Sequence, residues 1–155
     1  MTAIHVRRAT LSDLDHLVEF HRGVVLAERP FDSTLKSGDI RYYDLKGLLE
    51  AQNVWFGLAL ADGEPVGCGF VRIDTAKPYL NYPRLGYLGL MYVTPAYRGR
   101  GVNGLIMEAL KAHCRACGVF ELHLEVYPGN ANAVRAYQKA GFVPYMLDMR
   151  MALKE

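Results

Sequence analysis

The stretch that most constrains this chain is Tyr97-Arg98-Gly99-Arg100-Gly101-Val102-Asn103-Gly104. Before it, Leu88-Gly89-Leu90-Met91-Tyr92-Val93 is a short apolar run that reads as a buried strand. Thr94-Pro95 ends that strand, because proline cannot donate to a sheet ladder. After it, Leu105 to His113 reads as a helix. The glycines therefore lie between a strand and a helix N-terminus. Glycine tolerates positive φ and lets the backbone come close to a ligand. A helix start offers unpaired N–H groups and the positive end of the macrodipole. With Arg98 and Arg100 alongside, the stretch predicts a phosphate site, and hence a pyrophosphate-bearing cofactor.

Two cofactor classes compete for it. Gly99-x-Gly101-x-x-Gly104 matches the G-x-G-x-x-G dinucleotide fingerprint, and Glu125 lies where an acidic ribose ligand is expected. That reading implies an NAD(P)-binding oxidoreductase. Against it, Thr94 to Arg98 separate the strand from the first glycine, where the fingerprint needs a tight turn. The chain also offers one clear strand–helix–strand crossover.

The second reading comes from a resemblance. Arg98-x-x-Gly101-x-Asn103 resembles the (Gln/Arg)-x-x-Gly-x-(Gly/Ala) motif of the GNAT superfamily of acyl-CoA-dependent N-acetyltransferases. Asn130-x-x-Ala133-x-x-x-Tyr137-x-x-x-Gly141-Phe142 resembles that superfamily's second cofactor motif. The opening Arg7 to Asp13 also looks like a GNAT start, so the likeness covers nearly the whole chain. Asn103 departs from the usual small residue, but Asn can still serve at a helix start, so phosphate binding is expected to survive.

Bulk properties limit the alternatives. A chain of 155 residues fits a single domain, taken as 1–155, with a substantial core. Hydrophobic residues make up 51% and charged residues 22%, as in an ordinary globule. A net charge of +2 is too small to argue for a nucleic-acid partner. No apolar run is long enough to span a bilayer. Met1 to His5 lead straight into a strand, so no signal peptide is expected. Three cysteines suggest reduced thiols and a cytoplasmic protein.

Along the chain, Ile4 to Arg8 reads as a strand, and Thr10 with Asp13 as a capping-box-like pair. Leu14, Leu17, Val18, His21 and Val25 recur at helical spacing, with His21 read as a packed histidine. Pro30 breaks this helix, and Tyr42, Tyr43, Leu45, Leu48 and Leu49 suggest a second one. Glu28, Asp32, Asp39 and Asp44 in this region are either a solvated surface or an attraction for an amine. Val54 to Leu60 and Val66 to Ile73 form a hairpin about Asp62-Gly63. Its Gly67 and Gly69 mark bulges or close approach. Ala76 to Pro83 is a loop. Cys114-x-x-Cys117 lies at a helix C-terminus, the wrong end to lower a thiol pKa, and too few ligands surround it for zinc. No metal is therefore expected. Phe120 to Tyr127 alternates as a strand, parallel to the Leu88–Val93 strand because a helix connects them. Asn130 to Ala140 reads as a helix stopped by Gly141. Phe142 to Leu153 reads as a hairpin or bent strand, with Leu147, Met149, Met151 and Leu153 pointing inward.

The resemblance implies a mixed α/β fold. It has a mostly antiparallel sheet with one splayed parallel strand pair, flanked by about four helices. It implies acetyl-CoA as acyl donor and an amine as acceptor, small molecule or peptide, with the helix–loop–helix after residue 14 lining the acceptor site. Backbone groups of Met91, Tyr92 and Val93 would hold the pantetheine arm and acetyl carbonyl. Arg98, Gly99, Arg100, Gly101, Val102, Asn103 and Gly104 would hold the pyrophosphate. Asn130, Ala133 and Tyr137 complete the cofactor contacts, with Tyr137 beside the thioester sulfur as proton donor. Family members often carry a central-strand Glu as general base, whereas Gly89 and Leu90 stand here. Glu125 is the substitute, with His123, Tyr92 or a water chain as alternatives. A non-catalytic acyl-CoA-binding module is the rival that the missing Glu suggests, and a homodimer is a family-level expectation.

Overall fold

The computed structural model describes residues 3–155. The expectation of no leader rests partly on Met1 and Thr2, which lie outside the described residues. The chain divides into two compact units, Met1–Glu125 and Val126–Glu155.

The first unit is built on a five-stranded sheet, β1 (Ile4–Arg8), β2 (Val54–Ala61), β3 (Glu64–Thr75), β4 (Arg84–Val93) and β5 (Leu122–His123), in that spatial order. The first three pairings are antiparallel and β4–β5 is parallel. This is the mixed sheet expected. Period-two alternation makes Val54, Phe56, Leu58 and Leu60 share a face with Cys68 and Phe70. Helix α1 (Leu14–Glu28) covers that face through Leu17 and Phe20, and α2 (Leu45–Glu50) through Leu45. Helix α3 (Val102–Ala116) covers the opposite face with Val102, Ile106, Leu110 and Cys114, all buried. Gly67 and Gly69 of β3 let Ile106 and Met91 pack directly onto the strand. The Asp62-Gly63 turn has φ +50° and +80°, the doubly positive pattern that closes a two-residue hairpin.

Local chemistry sets the first helix. The Thr10 N–H donates to Asp13 Oδ2 at 2.8 Å, and Arg7 donates to both Asp13 oxygens at 2.8 and 2.9 Å. The Arg7 hydrogen bond is the main cause that holds the Asp13 carboxyl below the usual carboxylate range. Asp13→Ala is expected to cost about 2 kcal/mol at neutral pH, since it leaves a capping N–H and a guanidinium without their acceptor. A depressed folded pKa gives stability that is present above the unfolded value, about 3.9, and lost as pH falls through the folded one. Urea unfolding of both proteins should therefore show the gap closing on acidification. A gap that stays constant to low pH excludes this origin.

After α1 comes a single tight turn (Arg29–Phe31) rather than an abrupt break at Pro30. Tyr42 and Tyr43 lie ahead of α2, which begins only after Asp44 caps it through the Gly47 N–H. His21 is fully buried, as expected of a packed histidine, and its Nε2 accepts the Tyr42 N–H at 2.9 Å.

Two strand expectations need correction. β5 pairs only at Gly86–Leu122 and Tyr87–His123, so the ladder is two residues long, not eight, and Phe120 is exposed. In the second unit, α4 (Ala131–Lys139) forms, but residues 142–153 form no strand among the described residues. Leu147, Met149, Met151 and Leu153 are exposed, not inward. Alternation states which side chains prefer a common face; a strand also needs a partner's backbone groups.

Candidate active site

β4 changes character halfway along. Its pairing with β5 ends at Tyr87, yet it continues to Val93. On its other side the register with β3 runs Phe70–Gly89 and then Cys68–Tyr92, so β4 carries an extra residue. Leu90 takes φ +50° there, and its carbonyl accepts the Cys68 thiol at 3.3 Å. Such a bulge bends the strand and re-aims the residues beyond it. Met91, Tyr92 and Val93 therefore have no β5 neighbour, and their edge of the sheet is open. The parallel pair splays as expected. Gly89 and Leu90 are both buried, and a side chain at Gly89 would collide with Phe70, so no carboxylate fits there.

The side chains around this edge are fixed. The Tyr92 ring lies 5.3 Å from that of Phe20 and rests on Gly23 of α1, where a Cβ would come within 2.6 Å of it. Arg98 stacks over Tyr92 at 5.6 Å, and its Nε donates to the Val93 carbonyl at 2.9 Å. Arg98 thus ties the loop to the strand end, more than a free charge would. Arg100 lies over Tyr97 at 5.0 Å.

Gly99 and Gly101 both adopt the left-handed conformation, φ +75° and +80°, which other residues enter only with strain. Gly101 is the N-cap of α3. Asn103 is the second residue of α3, at the helix start as expected, although Gly101 rather than Asn103 is the cap. The first helical hydrogen bond runs from the Leu105 N–H to the Gly101 carbonyl at 3.2 Å. The N–H groups of Val102, Asn103 and Gly104 are the unpaired donors of the first turn. A Cβ at Gly99, Gly101 or Gly104 would meet no heavy atom within 4 Å. The loop is an open cradle of donors at a helix N-terminus. It fits the pyrophosphate of acetyl-CoA in charge and in shape.

Glu125 comes just after β5, on the face that carries Tyr87. Tyr87 donates to Glu125 Oε1 at 3.3 Å. Tyr43, from the loop ahead of α2, lies close enough to Tyr87 to influence its titration. Burial is the main cause that raises the titration of both tyrosines. Glu28, at the end of α1, is also raised, chiefly by burial, while a Tyr42 hydrogen bond opposes the shift. Sequence reasoning did not single out Tyr43 or Tyr87 as site residues. No local signal marks them, because their meeting depends on a strand register and a helix–sheet contact. His123, the alternative base, lies 2.9 Å from Glu121 Oε2 and 3.4 Å from the Tyr82 hydroxyl.

In the second unit, Asn130 caps α4 by accepting the Ala133 N–H at 3.3 Å. Tyr137 is half-buried, edge-on to Phe142 at 5.9 Å. Gly141 has φ +108° and closes the helix. Of the cysteines, Cys68 is fully buried and its thiol titration is pushed far up by burial, and Cys114 is raised to about 11. Among the described residues no helix is long and apolar enough to cross a membrane.

Known proteins resemble this chain in sequence and in fold. The family model described as Acetyltransferase (GNAT) family matches residues 19–142. An IAA acetyltransferase of Azospirillum brasilense is 31% identical over 110 residues, covering 68% of this chain and 68% of that protein. The crystal structure of a BH1408 tetramutant from Bacillus halodurans superposes with a TM-score of 0.86 at 19% identity, covering 96% of this chain and 99% of that one. A predicted acetyltransferase of Clostridium acetobutylicum, solved with acetyl-CoA, superposes with a TM-score of 0.74 at 17% identity, covering 97% and 96%. The splayed parallel pair, the glycine cradle at a helix start and the matched family model converge: this chain belongs to the GNAT family of acetyltransferases.

Proposed function

We propose that this chain is an N-acetyltransferase that moves the acetyl group of acetyl-CoA directly to a primary amine. The observation that carries the reading is the open donor cradle at the start of α3, next to the free edge of β4. Gly99 to Gly104 bind the pyrophosphate through N–H groups, with Arg100 adding charge. Backbone groups of Met91, Tyr92 and Val93 align the pantetheine arm. Asn130 and Ala133 belong, with Tyr137, to the second cofactor motif that the family resemblance marks. Bound there, acetyl-CoA supplies the acetyl thioester.

The chain's own residues then handle two protons. The Glu125 carboxylate takes one from the amine nitrogen as the C–N bond forms. The Tyr137 hydroxyl gives one to the sulfur as the C–S bond breaks. Both groups are restored from solvent, so the overall change is an amine proton delivered to the thiol. Transfer is direct because the buried thiols of Cys68 and Cys114 resist ionisation. Cys117 lies beyond the other end of α3, about 22 Å along the helix at 1.5 Å per residue.

Calorimetric titration with acetyl-CoA, NAD and NADP in parallel tests the cofactor. Micromolar acetyl-CoA binding with no response to NAD is expected. Binding of NAD alone overturns the reading in favour of the dinucleotide fingerprint. An amine panel followed by thiol release then tests turnover. Tight acetyl-CoA binding with no turnover on any amine makes the chain a binding module.

A further inference from the structure

The Tyr87 hydroxyl is hydrogen-bonded to Glu125, with Tyr43 close by, in an arrangement that the cofactor motifs do not require. Each tyrosine hydroxyl has one proton to give. Tyr87 gives its proton to Glu125 Oε1 at 3.3 Å. The ring of Tyr87 is itself clamped. Arg72 of β3 lies over it at 5.0 Å, and Arg72 is held by Asp74 through two hydrogen bonds of 2.7 and 2.9 Å. Tyr43 is clamped from behind by Phe70, edge-on at 5.1 Å, and by His21 at 6.0 Å. Tyr87 is also the last β4 residue paired with β5, opposite His123. Beyond it the strands part, and Glu125 has no ladder to hold it.

We propose that Tyr87 is a positioning residue for Glu125: its hydroxyl fixes the carboxylate orientation at the point where β4 and β5 separate, leaving the second oxygen to receive the amine proton. The inference rests on the reading of Glu125 as the base. A carboxylate on a short exposed segment otherwise samples several rotamers. A hydroxyl on a packed strand gives it one. The charged and titratable groups that face the Tyr87–Glu125 contact and Tyr43 beside it are Glu28 and His21 from α1, and Arg72 with Asp74 from β3.

Two measurements separate the inference from the reading beneath it. In protein labelled at tyrosine Cζ, the Tyr87 resonance, assigned by its loss in Y87F, is expected to shift across the carboxylate range of pH. The shift should disappear in E125Q. A flat Tyr87 resonance in the unmodified protein, or a step that survives E125Q, overturns the inference whatever the catalysis does. Kinetically, with the panel amine that turns over fastest, Y87F is expected to lower kcat about fivefold and leave the KM for acetyl-CoA unchanged. Full activity in E125Q removes Glu125 as base, while an inactive E125Q with Y87F unchanged in kcat removes the positioning role alone.

Discussion

Tyr137→Phe is expected to lower kcat by about two orders of magnitude while changing the Kd for acetyl-CoA by no more than about twofold. The substitution removes one hydroxyl and keeps the ring. The edge-on contact with Phe142 at 5.9 Å is an aromatic contact and survives. Helix α4 keeps its Asn130 cap, since the acceptor of the Ala133 N–H is untouched. A lower kcat with unchanged cofactor Kd and unchanged thermal midpoint would report proton donation to the departing sulfur. A proton transfer of this kind supplies about 10²- to 10⁴-fold. Steady-state kinetics with the best panel amine, together with titration of acetyl-CoA, measures both quantities. An unchanged kcat would remove Tyr137 from the chemistry. A loss of cofactor affinity with kcat intact would make it a binding residue.

Gly101→Val is expected to weaken acetyl-CoA binding by about a hundredfold, equivalent to about 2.7 kcal/mol. The thermal midpoint should fall by only a few degrees. Gly101 has φ +80° and ψ +8° at the N-cap of α3. A β-branched side chain there is a strong outlier, so the loop must leave this conformation. The first-turn N–H groups of Val102, Asn103 and Gly104 would then no longer converge. The new side chain would also enter the space that is open in the native loop, where no heavy atom lies within 4 Å of a Cβ. The core is spared, because Val102 and Ile106 stay buried behind the loop. Titration calorimetry and thermal unfolding on the same preparation separate these effects. Native-like acetyl-CoA affinity in a folded Gly101→Val protein would show that the phosphate site lies elsewhere.

The two variants address different needs of acyl transfer. In the proposed reading Gly101 acts through backbone geometry, and so on binding, while Tyr137 acts through one hydroxyl, and so on rate. A non-catalytic binding module predicts that Gly101→Val abolishes binding and that Tyr137→Phe has no phenotype. The pair of measurements therefore also tests whether the chain turns over an amine.

Much of this molecule is legible along the chain because the deciding physics is local. The Asp62-Gly63 turn is set by residues that tolerate positive φ. The Thr10–Asp13 pair spans three residues, and the packing of α1 through Leu17 and His21 is set by helical spacing. The glycine cradle is equally local: Gly99 and Gly101 supply the backbone conformation and α3 supplies the donors. The splay of β4 from β5 and the mixed sheet are expected through family resemblance, not from composition.

Other features are decided only in three dimensions. The bulge at Leu90 arises from the register of β3 against β4, and no residue type announces it. β5 is shorter than the alternation of Phe120 to Tyr127 suggests, because pairing is limited to two residues. Residues 142–153 alternate just as well and form no strand, since alternation encodes a face and not a partner. The meeting of Tyr43, Tyr87 and Glu125 joins three positions up to 82 residues apart. It depends on one parallel register and on the packing of the α1–α2 loop over Phe70. The sequence by itself determined the glycine-rich helix start that we propose as the phosphate site, because a helix start and its glycines are contiguous. Only the tertiary structure decided which groups surround the carboxylate of Glu125, because hydrogen bonds between distant side chains exist only once the sheet has closed.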